Sequence, residues 1–173
     1  HKTEAGGVRL GLRDEESVRA AFREIMASAR AYSPGSRLNG CLVQEQVEGA
    51  LAELLGGVTP SPLGPLVAVG FGGIFAEVFR DISQRLAPIR HDEALAMLAE
   101  LRGYGLLAGA RGRPRADLDA LADLIVRIGR VSLEWPGEWE LDLNPVLALP
   151  EGRGCRIVDA LLYNRARQEA VSC

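Results

Sequence analysis

The chain has 173 residues, 47% apolar and 25% charged, with a formal net charge of −3. This is the composition of an ordinary globular domain long enough to bury a core, and its balanced charges exclude the strong basic field of a nucleic-acid or anionic-membrane binder. The three cysteines, Cys41, Cys155 and Cys173, stand far apart with no CxxC or Cys/His metal spacing. They point to a reducing, cytoplasmic setting rather than a disulfide framework or zinc site. No apolar run reaches the ~18 residues of a membrane span, and no signal-peptide pattern is visible.

In chain order, Gly6 to Leu12 ends in an apolar alternation (Val8, Leu10, Leu12) that predicts a strand. Asp14 then offers an N-cap, and Val18, Phe22, Ile25, Met26 and Ala29 recur at helical spacing, so a helix runs from Asp14 to about Tyr32. Ser33-Pro34-Gly35 stops it. Cys41 to Val47 and Ala52 to Val58 are β-prone and, parted by Glu48-Gly49, predict a hairpin. After the loop Thr59 to Pro65, Leu66 to Phe71 reads as a third strand, and Ile74 to Ile82 as a fourth that pairs back. Helices are expected over Asp92 to Leu101 and Asp117 to Val131, linked by the glycine-rich stretch Gly103 to Gly112, and the basic cluster Arg111, Arg113 and Arg115 reads as a solvated loop. Strands Trp139 to Leu149 and Arg156 to Leu162 close the chain ahead of a polar tail over 164–173. The order predicts an α+β fold: a largely antiparallel sheet with helices packed on one side.

Glu140-Leu141-Asp142-Leu143-Asn144-Pro145 is the segment richest in chemistry. Side chains two apart on a strand share a face, so Glu140, Asp142 and Asn144 present a row of oxygen-bearing groups. Such a row suits Mg²⁺, which favours carboxylates, waters and phosphates; it equally suits the charged outer face of an amphipathic sheet. If the last two strands form a hairpin, Asp159 comes to lie beside Asn144. Gly6-Gly7 and Gly70-Phe71-Gly72-Gly73 each flank a predicted strand, where glycine lets backbone N–H groups approach phosphate oxygens or simply marks a turn. Glu45-Gln46-Val47, at a strand end, could read an adenine edge or be an exposed polar terminus.

An ordered set of short motifs goes further. His1-Lys2-Thr3-Glu4-Ala5-Gly6-Gly7-Val8, Leu42 to Val47, Glu53-Leu54-Leu55, Leu63-Gly64-Pro65, Gly72 to Val78, Asp81-Ile82 with Arg85 to Pro88, Leu107 to Gly112, Glu140 to Pro145, and Asp159-Ala160 follow one another. Together they resemble the ATP-grasp part of NDP-forming acyl-CoA synthetases, the ADP-forming acetate–CoA ligases and relatives of succinyl-CoA synthetase beta. The resemblance runs from His1 to about Leu162. It implies an ATP-grasp-type nucleotide-binding domain over residues 1–163, opening inside a motif and lacking the family's N-terminal strand and helix.

The resemblance also implies a reaction and its participants. Acyl-CoA, ADP and phosphate interconvert with acid, CoA and ATP through a phosphohistidine relay, with Mg²⁺ and ATP/ADP in this part. A CoA-binding, phosphohistidine-bearing subunit or domain is the partner, in a hetero- or homo-oligomer. His1 takes the position of the relaying histidine, for which a neutral imidazole is apt, and Asp142 that of the acid beside the visiting phosphohistidine. Lys2, Gly6, Gly7, Glu45, Val47, Glu53, Gly72 and Gly73 match nucleotide-contacting positions, with Glu45 and Val47 at the adenine and Glu53 at the ribose. Asn144 and Asp159 match the Mg²⁺ ligands. One departure is visible: the family's Asp-Pro-x-Phe-Gly-Pro loop, expected near the site, reads Ser61-Pro62-Leu63-Gly64-Pro65, one residue shorter and without the aspartate. A regulatory module of a protein-acetyltransferase fusion, or an inactive truncated fragment, are the alternative readings.

Overall fold

The computed structural model describes residues 5–72, 81–135 and 137–164. The chain forms two compact units, residues 1–48 and 49–173. His1, Lys2, Gly73, most of the expected strand Ile74 to Ile82 and nearly all of the expected tail lie outside the described residues.

In the first unit the one regular element is helix α1 (Glu15–Tyr32). Asp14 caps it: its side chain accepts from the Ser17 N–H at 2.7 Å while the Ser17 hydroxyl faces the Asp14 N–H at 3.3 Å, a reciprocal box. The Ser17 backbone N–H, first among its causes, holds the Asp14 carboxyl below the usual carboxylate range. The expected strands Gly6 to Leu12 and Cys41 to Val47 do not form, nor does the expected hairpin of Cys41 to Val47 with Ala52 to Val58. The two segments touch, with the Gly11 N–H donating to Gln46 Oε1 at 2.6 Å, but no ladder develops. Alternation alone does not make a strand: without a paired neighbour and a buried face an isolated pair is marginal in water. Here Leu10, Leu42 and Val43 remain exposed.

The second unit is an antiparallel sheet covered on one face by helices. Its strands are β1 (Ala52–Thr59), β2 (Leu66–Phe71), β3 (Ile82–Leu86), β4 (Trp139–Ala148), β5 (Cys155–Ile157) and β6 (Ala160–Asn164). Spatial order runs β3-β2-β1-β4-β5, with β6 also on β4. The strand that pairs back on β2 is therefore Ile82–Leu86, later in the chain than expected. β1, expected in a hairpin with the preceding segment, is central instead. Leu54, Gly56 and Val58 are buried in alternation with more exposed neighbours, the pattern of a strand with one face on a core.

Helices α2 (His91–Ala99), α3 (Tyr104–Leu107) and α4 (Leu118–Glu134) follow β3. Leu118, Leu121, Ala122, Ile125 and Ile128 of α4 are buried with Ala94, Met97 and Leu98 of α2 against Leu54, Val58, Val67 and Val69 of the sheet. Asp117 starts α4 by accepting from the Ala120 N–H at 3.1 Å, and its second oxygen accepts from the Gly154 N–H at 2.9 Å. The same carboxylate thus caps a helix and pins the β4–β5 turn. These two backbone donors, Gly154 first, hold its pKa below the ordinary value.

Candidate functional site

β4 carries the oxygen row. Leu143 is buried while Asp142 and Asn144 on either side are exposed, so both point away from the helices. The antiparallel register sets Asp142 opposite Gly57 of β1 on one side and Leu161 of β6 on the other. With Ala68 and Gln84 these residues form one row across five strands. The ladder of β4 against the last strand pair continues between its two named parts: the Asn144 N–H donates to the Asp159 carbonyl at 3.2 Å and the Val158 N–H to the Pro145 carbonyl at 3.0 Å. The predicted hairpin therefore forms, and it seats Asn144 directly across from Asp159.

Two other acids, Asp159 and Glu140, stand near Asp142. Neighbouring protein displaces water from the Asp142 carboxyl, and the carboxylates of Asp159 and Glu140 add repulsion; all three causes raise its pKa, burial most. Such a cluster gains from a cation. Among the described residues no group of three His, Cys, Asp or Glu side chains could hold a metal ion. The donor set here is two carboxylates and a carboxamide, which fits a metal completing its shell with water and phosphate oxygens better than a wholly protein-ligated one.

The remaining site candidates of this unit lie farther along the sheet. The Gly72 N–H donates to the Glu53 carbonyl at 2.9 Å, extending the β1–β2 ladder past Phe71, so Glu53 and Gly72 are brought together. Glu53 is roughly 13 Å from Gly57 along β1 at the ordinary rise of a strand. In the first unit Gly6 takes a left-handed conformation (φ 64°) that excludes most side chains, and its carbonyl accepts from Arg9 at 3.2 Å. Gly7 is half-buried, Glu45 exposed and Val47 half-buried, none of them in a regular element. The Ser61 to Pro65 loop is the β1–β2 turn, closed by the Ser61 hydroxyl on the Gly64 carbonyl at 2.6 Å. With Glu138 and Trp139 it lines a shallow cavity of about 190 Å³ that contains none of the nucleotide or metal candidates.

Two residues shape this sheet in ways the sequence reading missed: Gly57, which it did not single out, and Asp81, which it named only within a motif. A side chain at Gly57 would place its Cβ 2.5 Å from the Leu141 carbonyl oxygen, so only glycine lets β1 lie this close to β4 beside Asp142. Paired glycines inside a strand were the available signal. Asp81, buried, accepts from the backbone N–H groups of Arg102 (2.8 Å) and Gly103 (2.9 Å), while its carbonyl accepts from the Phe71 N–H at 3.3 Å. Its partners are 21 and 22 residues away, beyond the reach of any local pattern.

Comparison with known proteins places this geometry in a family. The sequence profile of the ATP-grasp domain matches residues 1–163. The chain is 41% identical over 148 residues to the acetate–CoA ligase (ADP-forming) I subunit beta of Pyrococcus furiosus, covering 86% of this chain and 64% of that one. It is 36% identical over 159 residues to the 4-hydroxybutyrate–CoA ligase (ADP-forming) of Nitrosopumilus maritimus, covering 92% and 23%. Among solved structures, the dinucleotide-forming acetyl-coenzyme A synthetase 1 of Ca. Korarchaeum cryptofilum with coenzyme A and Ca-AMPCP superposes with a TM-score of 0.88 at 41% identity, over 94% of this chain and 70% of that one. The same synthetase with coenzyme A and Mg-AMPPCP, its phosphohistidine segment pointing towards the nucleotide-binding site, gives 0.81 at 40% identity, over 95% and 71%. The chain thus spans less than two thirds of the Pyrococcus subunit and under a quarter of the Nitrosopumilus ligase. No helix among the described residues is long and apolar enough to cross a membrane. An antiparallel sheet with one helical layer, the ordered motifs and these matches agree: the chain belongs to the ATP-grasp family, in the group of the ADP-forming acyl-CoA synthetases.

Proposed function

We propose that this chain is the nucleotide-binding part of an ADP-forming acyl-CoA synthetase, an acid–thiol ligase. The complete enzyme would interconvert acyl-CoA, ADP and phosphate with acid, CoA and ATP through a phosphohistidine relay. The observation that carries the reading is the pairing of Asn144 with Asp159 across β4 and the last strand pair, with Asp142 on the same outward face. Asn144 and Asp159 would hold Mg²⁺, and the rise in the Asp142 pKa caused by burial, Asp159 and Glu140 marks a place where a cation relieves repulsion. When bound, Mg²⁺ supplies neutralisation of phosphate charge. Glu53, whose carbonyl accepts from the Gly72 N–H, would contact the ribose, and Glu45 and Val47 keep the adenine-contacting role that the motifs imply. Asp142 faces the imidazolium of the visiting phosphohistidine. His1, Lys2 and Gly73 keep the roles the motif implies, His1 as the relay and the other two at the phosphates.

The relatives carry different acyl names, acetate and 4-hydroxybutyrate, at similar identity over this region. This supports placing acyl and CoA recognition in another subunit or domain, the partner on which the relay depends. The matches are named as ligases or synthetases, which favours ligase chemistry over a regulatory module. The test is calorimetric titration of the complete protein with ADP at graded Mg²⁺. Binding that tightens with Mg²⁺ in the wild type but not in Asp159→Asn supports the reading; Mg²⁺-independent binding in both rejects it.

A further inference from the structure

Among the described residues Asp81 is the one charged side chain that is buried. A carboxylate taken out of water needs hydrogen bonds at its oxygens. Asp81 finds them on the backbone: one oxygen accepts from the Arg102 N–H at 2.8 Å, the other from the Gly103 N–H at 2.9 Å. Both donors lie in the corner between α2 and α3, so the side chain ties that corner to the start of β3.

The corner in turn lies on Phe71. A Cβ on Gly103 would stand 2.5 Å from Cε2 of the Phe71 ring, so a bare backbone is what fits there. The ring is buried, and the Phe71 N–H donates to the Asp81 carbonyl at 3.3 Å. Asp81 therefore holds Phe71 twice, at the backbone through its own carbonyl and at the ring through the corner. Phe71 ends β2 opposite Leu54 of β1. The next residue, Gly72, donates to the Glu53 carbonyl at 2.9 Å, and a Cβ on it would come 3.4 Å from the Leu54 carbonyl carbon. An unbroken line of contacts thus runs from the Asp81 carboxylate through Gly103, Phe71 and Gly72 to the backbone of Glu53.

A second acid joins the same helix to the same strand without reaching this line. Glu100, exposed at the end of α2, accepts from the Ser83 hydroxyl at 2.7 Å and pairs with Arg85. Those partners stand opposite Val69 and Val67 of β2, short of Phe71.

We propose that Asp81 is a positioning residue for nucleotide binding: its carboxylate, acting through Phe71 and Gly72, holds the stretch of β1 that carries Glu53. This rests on the reading of Glu53 as a ribose contact. Asp81→Asn keeps the size of the side chain but offers one acceptor oxygen for two donors and turns an NH₂ group against the other. The corner then loosens from Phe71, and Glu53 shifts with it.

The experiment is calorimetric titration of the complete protein with ADP and Mg²⁺, in wild type, Asp81→Asn, Glu53→Gln and the double variant. Asp81→Asn should weaken binding about tenfold, the lower end of the losses when a supporting partner is removed, with the number of sites per protein unchanged. Glu53→Gln should then cost much less in the Asp81→Asn background than in wild type, because residues that act through one another are not additive. A purely structural aspartate would lower the thermal midpoint or the number of competent sites and leave the dissociation constant as in wild type. Glu100→Gln is the control, expected to lower the thermal midpoint without changing affinity. Unchanged affinity in Asp81→Asn, independent losses in the double variant, or an equal loss in Glu100→Gln would each overturn the proposal. If Asp81→Asn does not fold, Gly103→Ala, which presses the corner off Phe71 directly, takes its place in the same cycle. Failure of both to fold would show that Asp81 holds the unit and not the site, and would overturn the proposal too. The nucleotide reading is read in wild type: no ADP binding there removes that reading, whereas wild-type binding with an unaffected Asp81→Asn removes the positioning role alone.

Discussion

Asp142, Asn144 and Asp159 decide whether the sheet face is a nucleotide site or a solvated surface, and their chemistry makes distinct predictions. Asp159→Asn removes one anionic oxygen donor without changing shape. It should weaken Mg²⁺-dependent nucleotide binding at least ~10-fold, the scale of losses around a metal, while leaving Mg²⁺-free affinity unchanged; titration with and without Mg²⁺ separates the two. Asp117 is a structural counterpart. Asp117→Ala should cost about 0.5–2 kcal/mol, the range for a lost N-cap, plus the bond to the Gly154 N–H. Because the folded pKa of Asp117 lies below its unfolded value, the contribution is present above the unfolded aspartate value of about 3.9. It is lost as pH falls through the lower folded pKa. Urea unfolding of wild type and Asp117→Asn should therefore differ at neutral pH and converge under acid conditions; a gap that widens with acidification would be the wrong sign.

At the scale of elements, the outward oxygen row was legible because period-two spacing is a property of the sequence alone. The juxtaposition of Asn144 with Asp159 followed from expecting a hairpin, and β4 supplies the pairing. What stayed hidden depends on partners remote in sequence. Val8, Leu10 and Leu12 alternate as a strand would, yet the segment finds no ladder; Ala52–Thr59 looked like half of a local hairpin, yet pairs with β2 and β4. Tertiary partners settle such cases, not local propensity. Gly57 is the clearest instance, since its need to be glycine comes from the Leu141 carbonyl across the sheet. Gly57→Ala should force β1 and β4 apart, costing roughly 1–3 kcal/mol in the manner of overpacking. It should also lower Mg²⁺-nucleotide affinity by displacing Asp142; an effect on stability alone would separate Gly57 from the site. Leu54→Ala, in the middle of the core at 1% exposure, should cost about 2–5 kcal/mol by cavity formation with no change in metal dependence.

At the scale of the whole molecule, the second unit has a continuous core between sheet and helices, whereas in the first unit Ala21 is the one buried hydrophobic among the described residues. The fold class was readable because element order constrains how layers can stack; the family was readable from motif order. The proposed relay role of His1 is testable in the complete protein. There, His1→Ala should abolish labelling of this part by phosphate while leaving its circular dichroism and thermal midpoint unchanged; undiminished labelling would reject His1 as the relay.

The most direct test of the central claim is nucleotide-induced thermal stabilisation of the complete protein, measured with and without Mg²⁺, in wild type and Asn144→Ala. ATP at 100 times its dissociation constant should add ~2.7 kcal/mol to wild-type stability when Mg²⁺ is present, and markedly less in the variant or without the metal. Equal stabilisation in all four samples would contradict the account, because the β4 oxygen row would then have no part in holding the nucleotide.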